Sequence, residues 1–395
     1  MHGKLTTMYK RLLQCPDYSF FLLGPRSTGK STWLREHLPN ALWKNLLLDE
    51  DYLSLAGDTS LLRKEVEALP KNSWVVIDEV QKIPSLLNEV HDLIARFGDK
   101  YKFAMSGSSA RKLRRLDVNL LAGRAIERKM FPLTSKELGQ DFSLDFALQF
   151  GSLPSVIQRK DFAVDILTAY ARTYIKEEIQ QEAFVKDIPS FHRFLKVAGI
   201  MNSEVVNISS LARDCTVSRT TVERYLDVLV DTLICFRLPG WQPKIKIRER
   251  ISPKYYFFDV GLVRTLNGSV RDKLSNLEVG SLLETFILHE LRSYRDYSNC
   301  GGEFYYWRTG SGVEIDFIWT RGDRAVGIEI KASSKWRRGN SRALQELYSL
   351  GKLDACYGIY RGEESLKDGD VSVLPCEVFL KKLHEGKIIG AIQET

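Results

Sequence analysis

The stretch FFLLGPRSTGKSTWLREHL, residues 20–38, decides the fold of the first third of the chain. Phe20, Phe21, Leu22 and Leu23 form a short, wholly apolar run, the pattern of a strand buried on both faces. Gly24, Pro25, Arg26, Ser27, Thr28, Gly29, Lys30, Ser31 and Thr32 follow at once, and a helix-like run from Trp33 to Leu38 closes the segment. Between a strand and a helix, G-x-x-x-x-G-K-S is a phosphate cradle. Its glycines let the main chain close in, so that backbone N–H groups and the positive helix N-terminus face an anion. The stretch from Gly24 to Thr32 is therefore expected to hold the phosphates of ATP, with Lys30 bridging the β- and γ-phosphates and the Ser31 hydroxyl on Mg2+.

Working outward, Trp74-Val75-Val76-Ile77 is a second apolar strand, and it ends in Asp78-Glu79. Two carboxylates at the C-terminal edge of a strand lie where open α/β sheets bind ligands. Asp78 is expected to hold Mg2+ through its water shell, and Glu79 to polarise the water that attacks the γ-phosphate. A third strand, Lys102 to Met105, leads into Ser106-Gly107-Ser108-Ser109, where Ser106 or Ser108 either senses the γ-phosphate or merely turns the chain. Arg124, in the segment Leu120 to Ala125, is either a surface arginine or one that reaches a neighbouring subunit's γ-phosphate; the second role requires an oligomer.

Composition bounds these readings. At 395 residues, with 44% apolar and 27% charged, the chain is long enough for two or three domains and is not a disordered polymer. The N-terminus reads MHGKLTTMYKRLLQ, and no run is long and apolar enough for a bilayer span, so no membrane partner and a cytoplasmic location are expected. Six scattered cysteines without a C-x-x-C pair suggest reduced core residues. The net charge of +7 is mild but clustered, at residues 111–115, 244–254 and 321–342; such clusters either track a phosphate backbone or are solvated loops.

From about Asp145 to Leu238 the apolar period is helical. Ile208 to Arg213, a turn at Thr216-Val217-Ser218, and Arg219 to Leu226 have helix-turn-helix character, with Ser218 as N-cap. Val217, Val222, Leu226 and Leu229 would pack the two helices and leave Arg219, Thr220, Thr221 and Arg224 toward a DNA groove or a phosphate. Ile234 to Leu238 and the basic KIKIRER stretch could form a wing, although many such folds serve only as packing modules.

In the C-terminal block, Val313 to Trp319 and Ala325 to Lys331 alternate across a Gly322-Asp323 turn. With those two as loop residues, Asp316 faces Glu329 and Glu314 faces Lys331, all on one face. Two carboxylates about 5 Å apart repel by roughly 3 kcal/mol at an effective dielectric near 20. A divalent cation between them would reverse that sign, and a ladder of salt bridges is the bland alternative. Glu284, on an amphipathic helix upstream, completes a set in which Glu284, Asp316 and Glu329 would bind Mg2+ or Mn2+ and Lys331 would steady the attacked phosphate or orient the water.

The segments GPRSTGKST, VVIDEVQKIP, MSGSSA and LLAGRAIERKMFPLTSKEL together resemble the AAA-plus ATPases of bacteria and archaea that carry a C-terminal restriction-endonuclease-like domain. The D-x12-E-x-K pattern of Asp316, Glu329 and Lys331 is similar to that of the PD-(D/E)xK nuclease superfamily, here without the proline, and Gln345 resembles an accessory glutamine of some members. The resemblance implies a ring-forming, hexameric nucleotide hydrolase with Arg124 at the position of the trans-acting finger, where Arg111 and Arg114 compete for the role. The expected architecture is α/β: a parallel-sheet phosphate-loop core over residues 1–140, a helical, winged-helix-like middle over 141–253 and a nuclease-like unit over 254–395. The expected function is ATP-driven engagement of DNA coupled to metal-dependent cleavage; the alternative is a nucleotide-switched assembly or regulatory protein whose nuclease-like fold only binds.

Overall fold

The computed structural model describes residues 9–109, 121, 123–174, 187–242 and 252–389. Five strands, β1 (Phe20–Leu23), β2 (Leu42–Asn45), β3 (Ser73–Asp78), β4 (Tyr101–Gly107) and β5 (Ile126–Lys129), form one parallel sheet in the order β2-β3-β4-β1-β5. The three strands expected from apolar runs are the central ones, and alternate side chains enter opposite cores. Phe21, Leu23, Val75, Ile77, Phe103 and Met105 fill one face, and Phe20, Leu22, Val76 and Ala104 join Trp33 and Leu34 on the other. The edge strands LWKN and IERK carry polar residues and are at most half-buried, which is why no apolar run marked them.

The middle unit is helical, and Ile208–Cys215 and Arg219–Asp231 are its helix pair. Thr216 turns between them in the left-handed region at φ 56, a place where glycine is the easier residue. Ser218 caps the second helix by accepting the Thr221 N–H at 3.1 Å, while Val222, Leu226 and Leu229 are buried and Arg219 and Arg224 are exposed. β6 (Cys235–Leu238) pairs antiparallel with β7 (Lys254–Phe257), so a strand counted with the C-terminal unit is tied to the middle one. The KIKIRER stretch lies outside the described residues.

After the helix Val279–Tyr297, β8 (Glu303–Arg308), β9 (Glu314–Arg321) and β10 (Arg324–Lys331) run antiparallel. The helix Arg342–Ser349 then crosses over to β11 (Ala355–Tyr360), parallel to β10, and β13 (Val371–Pro375) and β12 (Leu366–Asp368) complete a mixed six-stranded sheet. One continuous apolar core runs from Ala147 to Ile389, so the middle and C-terminal units are packed together rather than strung on a linker.

Candidate functional site

The loop from Gly24 to Thr32 leaves the C-terminal end of β1 and enters the helix Lys30–His37. Gly24 is required by space: a Cβ there would lie 2.3 Å from the Met130 carbonyl oxygen. Gly29, at φ 93, is required by conformation, and Ser27 also turns left-handed at φ 64. The Lys30 ammonium is buried and donates to the carbonyls of Gly24 at 2.8 Å and Pro25 at 3.1 Å, so the cation already sits inside the cradle. Thr28 closes the loop by donating to the Pro25 carbonyl at 2.8 Å. Ser31 is half-buried and Thr32 exposed at the helix start, beside a cleft lined by Arg11, Trp33, Glu36, Pro154 and Gln158. The glycines, the enclosed lysine and the hydroxyl at the helix start fit a magnesium triphosphate.

Asp78 ends β3, and Glu79 follows it in the left-handed region at φ 60. Ser106 lies within β4 rather than in a loop. Its hydroxyl donates to Asp78 Oδ1 and accepts the Glu79 N–H at 3.1 Å. The residue expected to sense a γ-phosphate or only turn the chain is thus engaged in fixing the acidic pair. Gln81, absent from the sequence reading, donates from Nε2 to Glu79 Oε2 at 2.5 Å and to Ser108 Oγ at 3.0 Å. An amide two residues past a carboxylate carries no distinctive pattern, so only the left-handed turn at Glu79 reveals it. Arg124 lies just before β5 with its guanidinium on His91; Arg111 and Arg114 lie outside the described residues.

Arg11 was also unforeseen. Its buried guanidinium donates to the Thr28 carbonyl of the loop at 2.7 Å, to the Phe131 carbonyl at 2.6 Å, to Glu137 at 2.9 Å and to the Tyr297 hydroxyl at 3.0 Å. The helix Val279–Tyr297 therefore touches the phosphate loop through this arginine at one end. It carries Glu284 near the other end, on the order of 20 Å away at 1.5 Å per residue.

In the hairpin, Arg321 faces Arg324 and Phe317 faces Ile328, the expected register. The β9–β10 ladder ends there, and Asp316 Oδ2 accepts the Ile330 N–H at 2.7 Å in place of a strand partner. Lys331 pairs with Glu329, not with Glu314. Glu314 pairs instead with Lys254 of β7 and lies 3.4 Å from Arg308. A register shift between Tyr305 and Trp307, opposite this part of β9, accounts for the re-aimed side chain. Lys254, 4% exposed, also stands 3.8 Å from Glu284, and the Tyr256 hydroxyl donates to Glu284 at 3.0 Å. Gln345 spends its amide on the Asp368 carbonyl at 2.8 Å.

Burial, reinforced by the Asp316 carboxylate, pushes the Glu284 carboxyl up to about 8. Burial raises Asp316, and burial with Asp316 alongside raises Glu329 well above the carboxylate range. Burial opposes the charge of Lys254, but Glu284, Glu314 and Asp316 outweigh it and hold the ammonium above its usual value. Glu284, Asp316, Glu329 and Lys331 thus share one electrostatic site. Among the described residues, however, no three carboxylate, imidazole or thiolate groups converge to hold a single metal ion. Two lysines, Lys254 and Lys331, face the four carboxylates Glu284, Glu314, Asp316 and Glu329, and Glu329 Oε2 is buried without a hydrogen-bond partner among the described residues.

Three family models match the chain. Residues 17–139 match an AAA domain, 141–273 a domain of unknown function (DUF8612), and 279–379 a second domain of unknown function (DUF4143). An uncharacterized protein of Mycobacterium tuberculosis is 29% identical over 318 residues, 79% of this chain and 70% of the relative. One of Haemophilus influenzae is 24% identical over 352 residues, 81% of this chain and 84% of its own length. Among solved structures, the Aeropyrum pernix Orc1 protein in complex with DNA aligns at 12% identity, covering 65% of this chain and 87% of that one, with a TM-score of 0.30. A Vibrio cholerae protein aligns at 11% identity over 93% and 96%, with a TM-score of 0.21. The N-terminal unit is thus similar to an AAA domain, and among the described residues no helix is long and apolar enough to cross a membrane.

Proposed function

We propose that the protein is an ATP-hydrolysing switch that engages DNA. The observation that carries this reading is the meeting of the Lys30 loop with the Asp78–Glu79 pair at one edge of a parallel sheet. Lys30 would leave its two loop carbonyls for the β- and γ-phosphates as the loop amides close on them. Magnesium on Ser31 and Asp78 would neutralise charge developing on the phosphates. Glu79 would take a proton from water as that water attacks the γ-phosphate. Arg124 remains our choice for an arginine acting across a homo-oligomeric ring, and the exposed Arg219 and Arg224 for DNA phosphates.

For the C-terminal unit we favour binding over cutting, because among the described residues no three metal-ligating groups converge on one point. Metal-dependent DNA cleavage is the second reading. Its support is the opening of the β9–β10 ladder at Asp316 and the order of one helix, antiparallel strands, a crossover helix and a parallel strand. The test is ATP turnover with Mg2+ in parallel with cleavage of single-stranded, double-stranded and branched DNA in Mg2+ or Mn2+. Turnover and DNA retention without cleavage are expected. Cleavage lost in Asp316→Ala would establish the second reading, and well-folded protein without nucleotide uptake would sink the first.

A further inference from the structure

Gln81 lies two residues beyond Glu79, 3% exposed, and its amide orientation is determined by its neighbours. Nε2 sits between two acceptors, Glu79 Oε2 at 2.5 Å and Ser108 Oγ at 3.0 Å, and the reversed amide would set its oxygen against the carboxylate. That orientation sends Oε1 away from Glu79, where it is buried and, among the described residues, has no hydrogen-bond partner. A buried acceptor left unmade is costly and calls for a donor.

Gly107 shows where Oε1 points. A Cβ at Gly107 would lie 2.8 Å from Oε1, and the Gly107 carbonyl accepts the N–H of Gly24, the first residue of the phosphate loop, at 3.2 Å. The orphaned oxygen therefore lies over the end of β4, next to the mouth of the loop.

Building on the proposed ATPase reading, we infer that Gln81 aims the attacking water: its amide nitrogen holds the Glu79 carboxylate, and its Oε1 accepts the second hydrogen of the water whose first proton passes to Glu79. The water oxygen forms the new bond to the γ-phosphorus as the bond to the bridging oxygen of ADP breaks. The proton lost from water goes to Glu79, and Gln81 accepts a hydrogen bond only, so it needs no change of charge. Orienting the nucleophile is a recurrent requirement of phosphoryl transfer, and it acts on turnover rather than on nucleotide affinity.

The experiment compares full-length wild type with Gln81→Met, which keeps the length of the side chain and removes both polar atoms. It measures Mg-ATP turnover and the affinity of a fluorescent ATP analogue. Gln81→Met is expected to lower kcat by about 10-fold or more with KM and analogue affinity changed by less than about 3-fold. Gln81→Asn, which keeps the amide but draws its oxygen back by one methylene, is expected to lower kcat by a few-fold in the same way, and it decides the matter if the methionine variant fails to fold. Unchanged kcat, or a loss of affinity equal to the loss of turnover, overturns the role of Gln81 while leaving the ATPase reading intact. A wild type that binds the analogue but hydrolyses nothing overturns both.

Discussion

The two clusters of carboxylates are built by opposite means. Asp78 and Glu79 are held by neutral donors: the Ser106 hydroxyl on one, the Gln81 amide and Ser108 on the other. Glu284, Glu314, Asp316 and Glu329 lie among resident cations, with Lys254 and Lys331 in contact and Arg308 at the rim. Neutral donors orient an anion without cancelling it, so the first cluster keeps its negative field for an incoming metal and substrate. Ammonium groups offset part of it, so the second is held by charge pairing as well as by hydrogen bonds.

The sharpest break between the clusters is functional. Lys30→Ala removes the ammonium enclosed by the phosphate loop and is expected to abolish ATP turnover, a loss of at least about 100-fold for an electrostatic group of this kind. Asp316→Ala is expected to leave turnover within about 2-fold. Steady-state phosphate release on both variants checks the pair, and a matching loss in Asp316→Ala would mean that the clusters are not separable.

Lys254→Ala tests whether the second cluster depends on its own cation. Removing one partner of a buried ion pair costs about 3–5 kcal/mol, and Lys254 faces several carboxylates from a 4% exposed position. A large drop in the urea midpoint is expected. If Mn2+ restores the variant but not the wild type, the ammonium occupies the ground that a metal would take. If neither responds, the cluster is a structural ion network.

Proton linkage gives a smaller effect with a definite sign. Glu284 has a folded value near 8 against an ordinary 4.5, so between those values the native state holds a proton that the unfolded state has released. Its contribution to stability is present below about pH 4.5 and is lost as the pH rises through 8. At about 1.4 kcal/mol per pH unit the window amounts to a few kcal/mol, trimmed because the side chain is 18% exposed. Glu284→Gln is therefore expected to narrow its deficit, or gain, relative to wild type between pH 5 and pH 9. Parallel urea curves across that range would refute the raised carboxyl.

How far the sequence was legible follows the same division. Local chemistry was readable: the glycines of the loop, the acids ending β3 and the 321/324 register of the hairpin all follow from spacing and backbone demands. Partners that meet over long separations were not. Lys254 reaches Glu314 across 60 positions, and Arg11 reaches Tyr297 across 286. The pairing of Glu314 with Lys331 failed because a strand irregularity and a lysine from another unit intervened, and neither leaves a periodic trace. Ser106 was legible as a residue of the site but not in its role, since only the sheet brings its hydroxyl against Asp78.

The finest distinction between the clusters comes from deleting a single hydroxyl from each. Ser106→Ala removes the donor to Asp78 and leaves the buried Glu79 N–H without its acceptor, so two groups lose a partner in a place that offers no substitute. An unsatisfied buried group costs about 1–3 kcal/mol, and turnover should fall with it because Asp78 is no longer oriented. Tyr256→Phe likewise removes the hydroxyl that donates to Glu284, but Lys254 remains 3.8 Å from the same carboxylate and can close on it. Its cost is expected to be about 1 kcal/mol or less, with ATP turnover unchanged. Equal losses in the two variants would mean that Lys254 does not compensate Glu284, and the contrast between neutral and cationic support would fail at that residue.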